Sequence, residues 1–482
     1  MEVAISAISG EILSRLISFL INKYADRACL EEKLERLKHL LLRVHTVVEE
    51  AEGRYITNSY MLVQLRMIVN RMYQGYHALD TIRFKPFDDI PLQNQVTNSF
   101  SLSAPLKRTH ATSSAMKTTL SVNHELQVAL DNLESIVENM TEFVILLGGC
   151  KRMHRRPYDT YLYIDNFMFS RLVEKQQLIS ALLHENYLVD VPSVVPIIGG
   201  YRIGKKSLVG YACNNNMVRS RFSIILHLNS LNFLKVCNES FIPVRTLVVV
   251  EFLSDVNDSE WAKFYSATSH MGRGSKVIII SRFEEIARFG TVKPIHLKSL
   301  SHAEFVYLFK VLSFGATNPN NHPQLASIGM EMGMLLKGLL LVGNMFADLL
   351  RKNQNVQFWH HILKSFKNSL ERNLSIFGEH PKELLERDRP TDITMLVSPA
   401  AAQLQLIMPS RDESSFCKKE LPKVKFGDLV EGSTTVLPNE EFQITIWESR
   451  IPPFTKFVSN CIQGKRPYTS SDHKKRKWSC TK

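Results

Sequence analysis

A chain of 482 residues, 44% hydrophobic and 22% charged, is long enough for about two to four domains that each bury a core, and too apolar to be disordered throughout. Its seven cysteines are scattered and include no C-x-x-C pair, which argues against a disulfide scaffold or a zinc site and for a reducing compartment. The net charge of +12 invites a nucleic-acid reading, but seven Lys/Arg against Asp472 in residues 465–482 put half of that excess in one short basic end.

In chain order, residues 1–150 are helical in pattern. "ILSRLISFLINKY" (12–24) is interrupted by Arg15 and reads as an amphipathic helix, not a signal peptide. Leu30, Leu34, Leu37, Leu41, Val44 and Val48 keep a 4-3 spacing, as do Leu126, Leu130, Leu133, Val137, Met140, Val144 and Leu147. Leu65, Val69, Met72, Tyr76 and Leu79 give a third stripe between them. Each stripe covers one face, so four such helices are expected to bury one another in a small bundle, with an exposed loop over about 86–115. No stretch is apolar for the length a membrane span needs, since "LLKGLLLVGNMFADLL" carries Lys337, Asn344 and Asp348.

From about 190 the pattern changes to short apolar runs, "SVVPIIGG", "RFSIILHLNS", "VRTLVVVEF" and "SKVIIISR", separated by helix-length connections. Such runs predict a parallel sheet covered on both faces. Beyond roughly 300 the sequence is helical again, through "SHAEFVYLFKVLSF" and the run ending in "FADLLRK". Residues 373–482 are expected to be largely irregular, apart from a strand or two near "FQITIWES". In the basic end, "KKRK" (474–477) reads first as a solvated end and second as an import signal or phosphate patch.

The chemistry concentrates where the first apolar run meets "GGYRIGKKSL" (199–208). Gly199, Gly204 and Lys205 satisfy G-x-x-x-x-G-K, the loop whose backbone N–H groups and lysine cradle phosphates. Lys206 then stands where a hydroxyl would hold Mg²⁺, and Ser207 comes one residue late. A loop slipped by one residue, with Lys206 and Ser207 as the Lys-Ser pair, would put Lys205 in a glycine position. Tyr201 and Arg202 bring bulk into the loop, at a cost of roughly 1–2 kcal/mol for a side chain at positive φ. At the end of "LVVVEF", Glu251 is a candidate to organise a metal through water, or simply a carboxylate at a strand end. Phe252 follows it and cannot act as a base. Arg282, after "KVIIIS", is either a phosphate contact or a surface arginine.

Taken in order, "YIDNFMFSRLVEKQQLISALL" (162–182), "VPIIGGYRIGKKSL", "MVRSRFSIILHLNS", "RTLVVVEFLSDVNDSEW", "GSKVIIISRFEEIARFGTVKPIHLKSLS", "LFKVLSFG" and "LLKGLLLVGNMFADLLRKNQNVQFW" resemble the consecutive motifs of the NB-ARC module of plant nucleotide-binding leucine-rich-repeat disease-resistance proteins. Residues 1–150 resemble that family's coiled-coil, Rx-type N-terminal domain, including the variant "MYQGYHALDTIRF" (72–84). The resemblance implies a helical bundle over 1–150, a P-loop α/β nucleotide-binding domain over 160–305, a helical ARC1-like domain over 306–372 and the irregular segment 373–482. No winged-helix lobe with a Met-His-Asp motif follows Trp359, and no leucine-rich repeats are expected.

The resemblance implies a pocket for ADP at rest and ATP on activation, with cofactor contacts from Gly199, Gly200, Gly204, Lys205, Lys206, Ser207 and Arg282. It places Glu251 at the metal-organising position and assigns no catalytic residue. Where the family has a small-residue loop, a Thr after the lysine and two Asp on the second strand, this chain has Tyr201, Arg202, Lys206, Glu251 and Phe252. Its Gly-Leu-Pro-Leu turn appears as Gly338-Leu339-Leu340-Leu341, and its acidic cluster is reduced to Asp80. The expectation is a non-enzymatic interaction and signalling protein of plant defence, binding ADP or ATP weakly, with Mg²⁺ poorly supported. Its partners would be other immune-receptor chains, guarded host proteins or a second copy, through residues 1–150. The setting expected is cytoplasmic, with a nuclear or membrane-peripheral placement left open. A slow P-loop ATPase is the alternative, and a nucleic-acid-associated regulator using the basic end a weaker one.

Overall fold

The computed structural model describes residues 29–84, 111–153, 169–184, 191–230, 232–234, 241–387, 389–397, 403–407, 421–432, 441–448 and 456–464. The chain divides into two compact units, residues 1–153 and 154–482. The amphipathic stretch 12–24, most of the expected loop after residue 85 and the basic end 465–482 lie outside the described residues.

In the first unit, helices α1 (29–52), α2 (Ser59–Arg83), α3 (Ala111–Asn139) and α4 (Thr141–Gly148) are joined by an antiparallel pair, β1 (Arg54–Tyr55) with β2 (Lys151–Arg152). Asn58 starts α2 by accepting from the N–H groups of Tyr60 and Met61. The apolar stripes face inward as their spacing requires, with Leu37, Leu41 and Val44 of α1, Leu65, Val69 and Met72 of α2, and Leu126, Leu130 and Leu133 of α3 all buried. Gly75 fits this core closely: a Cβ there would lie 2.8 Å from Leu133 Cδ1 and 2.9 Å from Leu41 Cδ2. The stripe from Leu126 to Leu147 departs from expectation near its end. The helix breaks at Met140, and Phe143 turns inward in place of Val144, which is 43% exposed.

The second unit contains the expected parallel sheet, β3 (Ser193–Gly199), β4 (Ile224–Asn229), β5 (Thr246–Phe252), β6 (Lys276–Ser281) and β7 (Ile295–Leu297), in spatial order β4-β5-β6-β3-β7. All four pairings are parallel. The strands read as unbroken apolar runs because both faces are covered. Val195, Ile197, Leu247, Val249, Ile278 and Ile280 pack with Leu208, Val209 and Ala212 of helix α6 (Lys205–Asn214) and with Leu178 and Leu182 of α5 (Leu172–Leu183). Val194, Ile198, Val248, Val250, Phe252, Val277 and Ile279 point the other way, onto Trp261 and Phe264 of α8 (Asp258–Thr268), which follows the short α7 (Asn216–Arg219).

Four helices follow, α9 (His302–Phe314), α10 (Pro323–Leu335), α11 (Leu340–Lys352) and α12 (Val356–Phe377), then the short α13 (Pro381–Glu386). A capping box opens α9: Ser301 Oγ accepts from Glu304 N–H and the Glu304 carboxylate from Ser301 N–H. Trp359 is fully buried, and its indole N–H donates to the carbonyls of Leu350 and Asn353, which closes the end of α11.

The expectation of a largely irregular segment beyond 372 needs correction. Its described residues include a second five-stranded sheet, β8 (Thr391–Asp392), β9 (Gln403–Ile407), β10 (Lys423–Lys425), β11 (Glu441–Glu448) and β12 (Lys456–Gly464), in order β10-β11-β12-β9-β8. The strand at "FQITIWES" is β11, whose alternation buries Phe442, Ile444 and Ile446. β12 beside it buries Ser459 and Asn460, and β9 beyond buries Gln405 between Leu404 and Leu406, so apolar alternation marks these strands less clearly. The sheet is tied to α12 by a buried polar set. Asn373 Nδ2 donates to the Asp392 carbonyl (2.8 Å), its Oδ1 accepts from Asp392 N–H (2.9 Å), and Arg372 pairs with the Asp392 carboxylate (3.1 Å).

Candidate functional site

In a parallel sheet, ligands sit beyond the carboxyl ends of the strands, and three such ends meet around one cavity here. Gly199 ends β3, Glu251 and Phe252 end β5, and Ser281 ends β6. The cavity, of about 270 Å³, is lined by the loop from Tyr201 to Ser207, by Glu251 and Arg282, and by Leu341 and Phe457.

The loop keeps the backbone form its glycines dictate. A Cβ on Gly199 would lie 2.6 Å from the Leu297 carbonyl oxygen of β7, so no other residue fits there. Gly204 caps α6 at φ +96°, the left-handed region that favours glycine, and leaves the first N–H groups of the helix facing the cavity mouth. The expected cost of bulk falls on Arg202, which sits at φ +52°. Tyr201 has no such strain. The Arg202 guanidinium lies over the rings of both Tyr201 (4.7 Å) and Phe457 (5.1 Å), which recovers part of that cost.

Lys205 turns back into the loop and donates to the carbonyls of Gly199 (2.7 Å) and Gly200 (2.6 Å). Burial pushes its ammonium down to about 8. Glu251 opposes that fall, and Arg282 and Lys206 add to it. These carbonyl bonds are what an incoming phosphate would replace.

Lys206, in the first turn of α6, forms an ion pair with Glu251 (2.7 Å). Strand parity explains why: Glu251 shares the face of Leu247 and Val249, onto which α6 packs. Phe252 also borders the cavity at the strand end, but it is 1% exposed and its ring packs edge-on to Phe233 and Trp261 in the core of the opposite face. A divalent cation fits this set poorly. The one carboxylate lining the cavity already holds an ammonium, and Arg202, Lys205, Lys206 and Arg282 surround it. Ser207 lines the cavity one residue beyond the position a metal ligand would take.

The structure therefore brings together Gly204, Lys205, Lys206, Ser207, Glu251 and Arg282, while Gly199 and Gly200 act from beneath through their carbonyls. Arg282 reaches the cavity from the end of β6, its guanidinium over the Phe283 ring. One contributor escapes sequence reasoning: Phe457 comes from β12, far from the loop in sequence, and only the topology brings it there. Leu341 lies at the second position of α11, next to Leu340 at the first, where a proline would be well accommodated.

Comparison with known proteins bears on the whole arrangement. Residues 10–96 match the Rx N-terminal domain family. Disease resistance protein RGA4 of Solanum bulbocastanum is 21% identical over 386 residues, 73% of this chain and 37% of its own length. Disease resistance RPP13-like protein 1 of Arabidopsis thaliana is 23% identical over 409 residues, 76% of this chain and 37% of its own. The chain thus spans little more than a third of these relatives. Among solved structures, a chain of Drosophila ORC bound to DNA is 11% identical with a TM-score of 0.24, covering 45% of this chain and 66% of that one, and adds nothing to what the strand order shows. No helix among the described residues is long and apolar enough to cross a membrane. Its N-terminal match and its similarity over about three quarters of its length relate this chain to plant disease-resistance proteins of the NB-ARC type.

Proposed function

We propose that the chain is a defence-type signalling module whose cavity holds ADP, or less often ATP, weakly and turns over little or none. The observation that carries this reading is the contrast around α6. The phosphate-facing loop from Gly199 to Lys205 is intact in backbone form, while the Lys206–Glu251 ion pair stands where metal chemistry would have to act. Phosphate binding by such a loop needs backbone N–H groups, one lysine and the helix dipole. Hydrolysis also needs an ordered metal and a positioned water. Gly204 and Lys205 would then take the terminal phosphate, Ser207 its flank and Arg282 its outer oxygens.

Partners would engage residues 1–150, whether other immune-receptor chains, guarded host proteins or a second copy. The slow-ATPase reading would need a free base on the Glu251 face, and the carboxylate there is held by the Lys206 ammonium.

The test is a calorimetric titration of ADP into the purified full chain. Saturable binding to about one site should appear, and Lys205→Ala should lose most of it. No binding by well-folded wild-type protein even at millimolar ADP would reject nucleotide binding and leave the unit as a scaffold.

A further inference from the structure

Resting on that reading, we infer that the cavity takes a nucleoside diphosphate free of divalent metal, the Lys206 ammonium occupying the place and supplying the charge of the missing cation. Three observations converge. The Lys206 Nζ lies 2.7 Å from Glu251 Oε2, so the carboxylate at the metal-organising strand end is committed to an ammonium. The cavity lining carries four cationic side chains, Arg202, Lys205, Lys206 and Arg282, against Glu251 alone, an excess that repels a second cation and attracts a polyphosphate. The lining hydroxyl, Ser207, lies one residue beyond the position from which a hydroxyl would hold Mg²⁺, which Lys206 fills.

The geometry also allows the exchange this requires. Lys206 is 59% exposed at its side chain, sits in the first turn of a helix whose N–H groups face the cavity mouth, and can swing from Glu251 to a phosphate oxygen without disturbing the core. A lysine serves phosphate as a point charge and needs no fixed coordination shell. Free ADP carries more negative charge than its magnesium complex, so a cationic cavity should prefer the free form.

Fluorescence anisotropy of an N-methylanthraniloyl-ADP probe on the full chain, with EDTA and then with excess Mg²⁺, tests this. The wild type should bind the probe as tightly in EDTA as in Mg²⁺, or tighter. Lys206→Thr should bind roughly tenfold more weakly in EDTA and regain affinity when Mg²⁺ is added, because a hydroxyl now stands where the metal needs one. Lys206→Arg should keep the wild-type pattern, and all three proteins should unfold at similar temperatures, since residue 206 is exposed. Wild-type affinity that rises several-fold with Mg²⁺ would overturn the inference and leave nucleotide binding standing. So would a Lys206→Thr protein that binds in EDTA as the wild type does. No binding in either buffer would overturn the nucleotide reading itself, and the inference with it.

Discussion

The loop after β3 and the end of β5 face one another across the same cavity, yet substitution has treated them differently. The loop has taken in Tyr201 and Arg202 and still closes on Gly199 and Gly204, because what it offers a phosphate is backbone N–H groups whose placement depends on two glycines and one strained residue. The end of β5 would have to offer side-chain chemistry, and there the Phe252 ring packs into the core while Lys206 reaches Glu251 from α6. On the proposed reading, binding built from backbone survives changes that catalysis built from carboxylates would not.

Four substitutions or conditions would break or sharpen this contrast, in order of decreasing effect. Phe252→Asp, which writes an acid back into β5, should destabilise the second unit by about 4 kcal/mol or more, since it buries a carboxylate among Phe233, Trp261 and Phe264. Chemical denaturation measures that loss, and a stable variant that hydrolyses ATP would show that the side chain at 252 can turn from the core into the cavity it borders. Lys205→Ala should leave stability almost unchanged and cost about 1.5–3 kcal/mol of ADP binding, roughly 10–150-fold in Kd by calorimetry, as expected for charge-assisted bonds.

Away from the cavity, Asn373→Ala should cost about 1–3 kcal/mol in denaturant, because the Asp392 backbone N–H and carbonyl lose their buried partners. ADP affinity should not change, and a matching loss there would mean that the second sheet holds the loop in place. The smallest effect is on pH. In the empty protein the Lys205 ammonium is held down at about 8, below its ordinary 10.5, so charging it costs stability below about 8 and that cost fades as pH rises toward 10.5. Nucleotide needs the charged form, so affinity should fall as pH rises through 8 to 9.5, with a slope approaching about tenfold per pH unit. A flat profile in the wild type, or the same slope in Lys205→Ala, would assign the dependence elsewhere.

The parallel sheet and the cavity floor are legible in sequence because their signals are local. Continuous runs such as "KVIIIS" announce strands covered on both faces, and G-x-x-x-x-G-K announces its turn within six residues. Glu251 and Phe252 are adjacent in sequence, and only strand parity turns the Glu251 side chain to the α6 face and the Phe252 ring into the opposite core. The second sheet hides for a related reason. β12 buries the polar pair Ser459 and Asn460 beside Cys461, and β9 is only five residues long with Gln405 buried between Leu404 and Leu406, so neither announces itself as an apolar run. Phe457 was hidden with it, since a residue that lines the loop from β12 is found by topology and not by spacing. The switch from Val144 to Phe143 has a simpler cause, a helix break at Met140 that no proline or glycine marks.

The most direct test of a grip without turnover is to load the full chain with ATP labelled on its terminal phosphate in Mg²⁺, isolate the protein after several hours, and identify the label by chromatography. The account predicts bound nucleotide that Lys205→Ala fails to retain, with the label still on ATP and no free phosphate above a protein-free control. Free phosphate accumulating over many turnovers, abolished in Lys205→Ala, would contradict it and make the cavity a working ATPase.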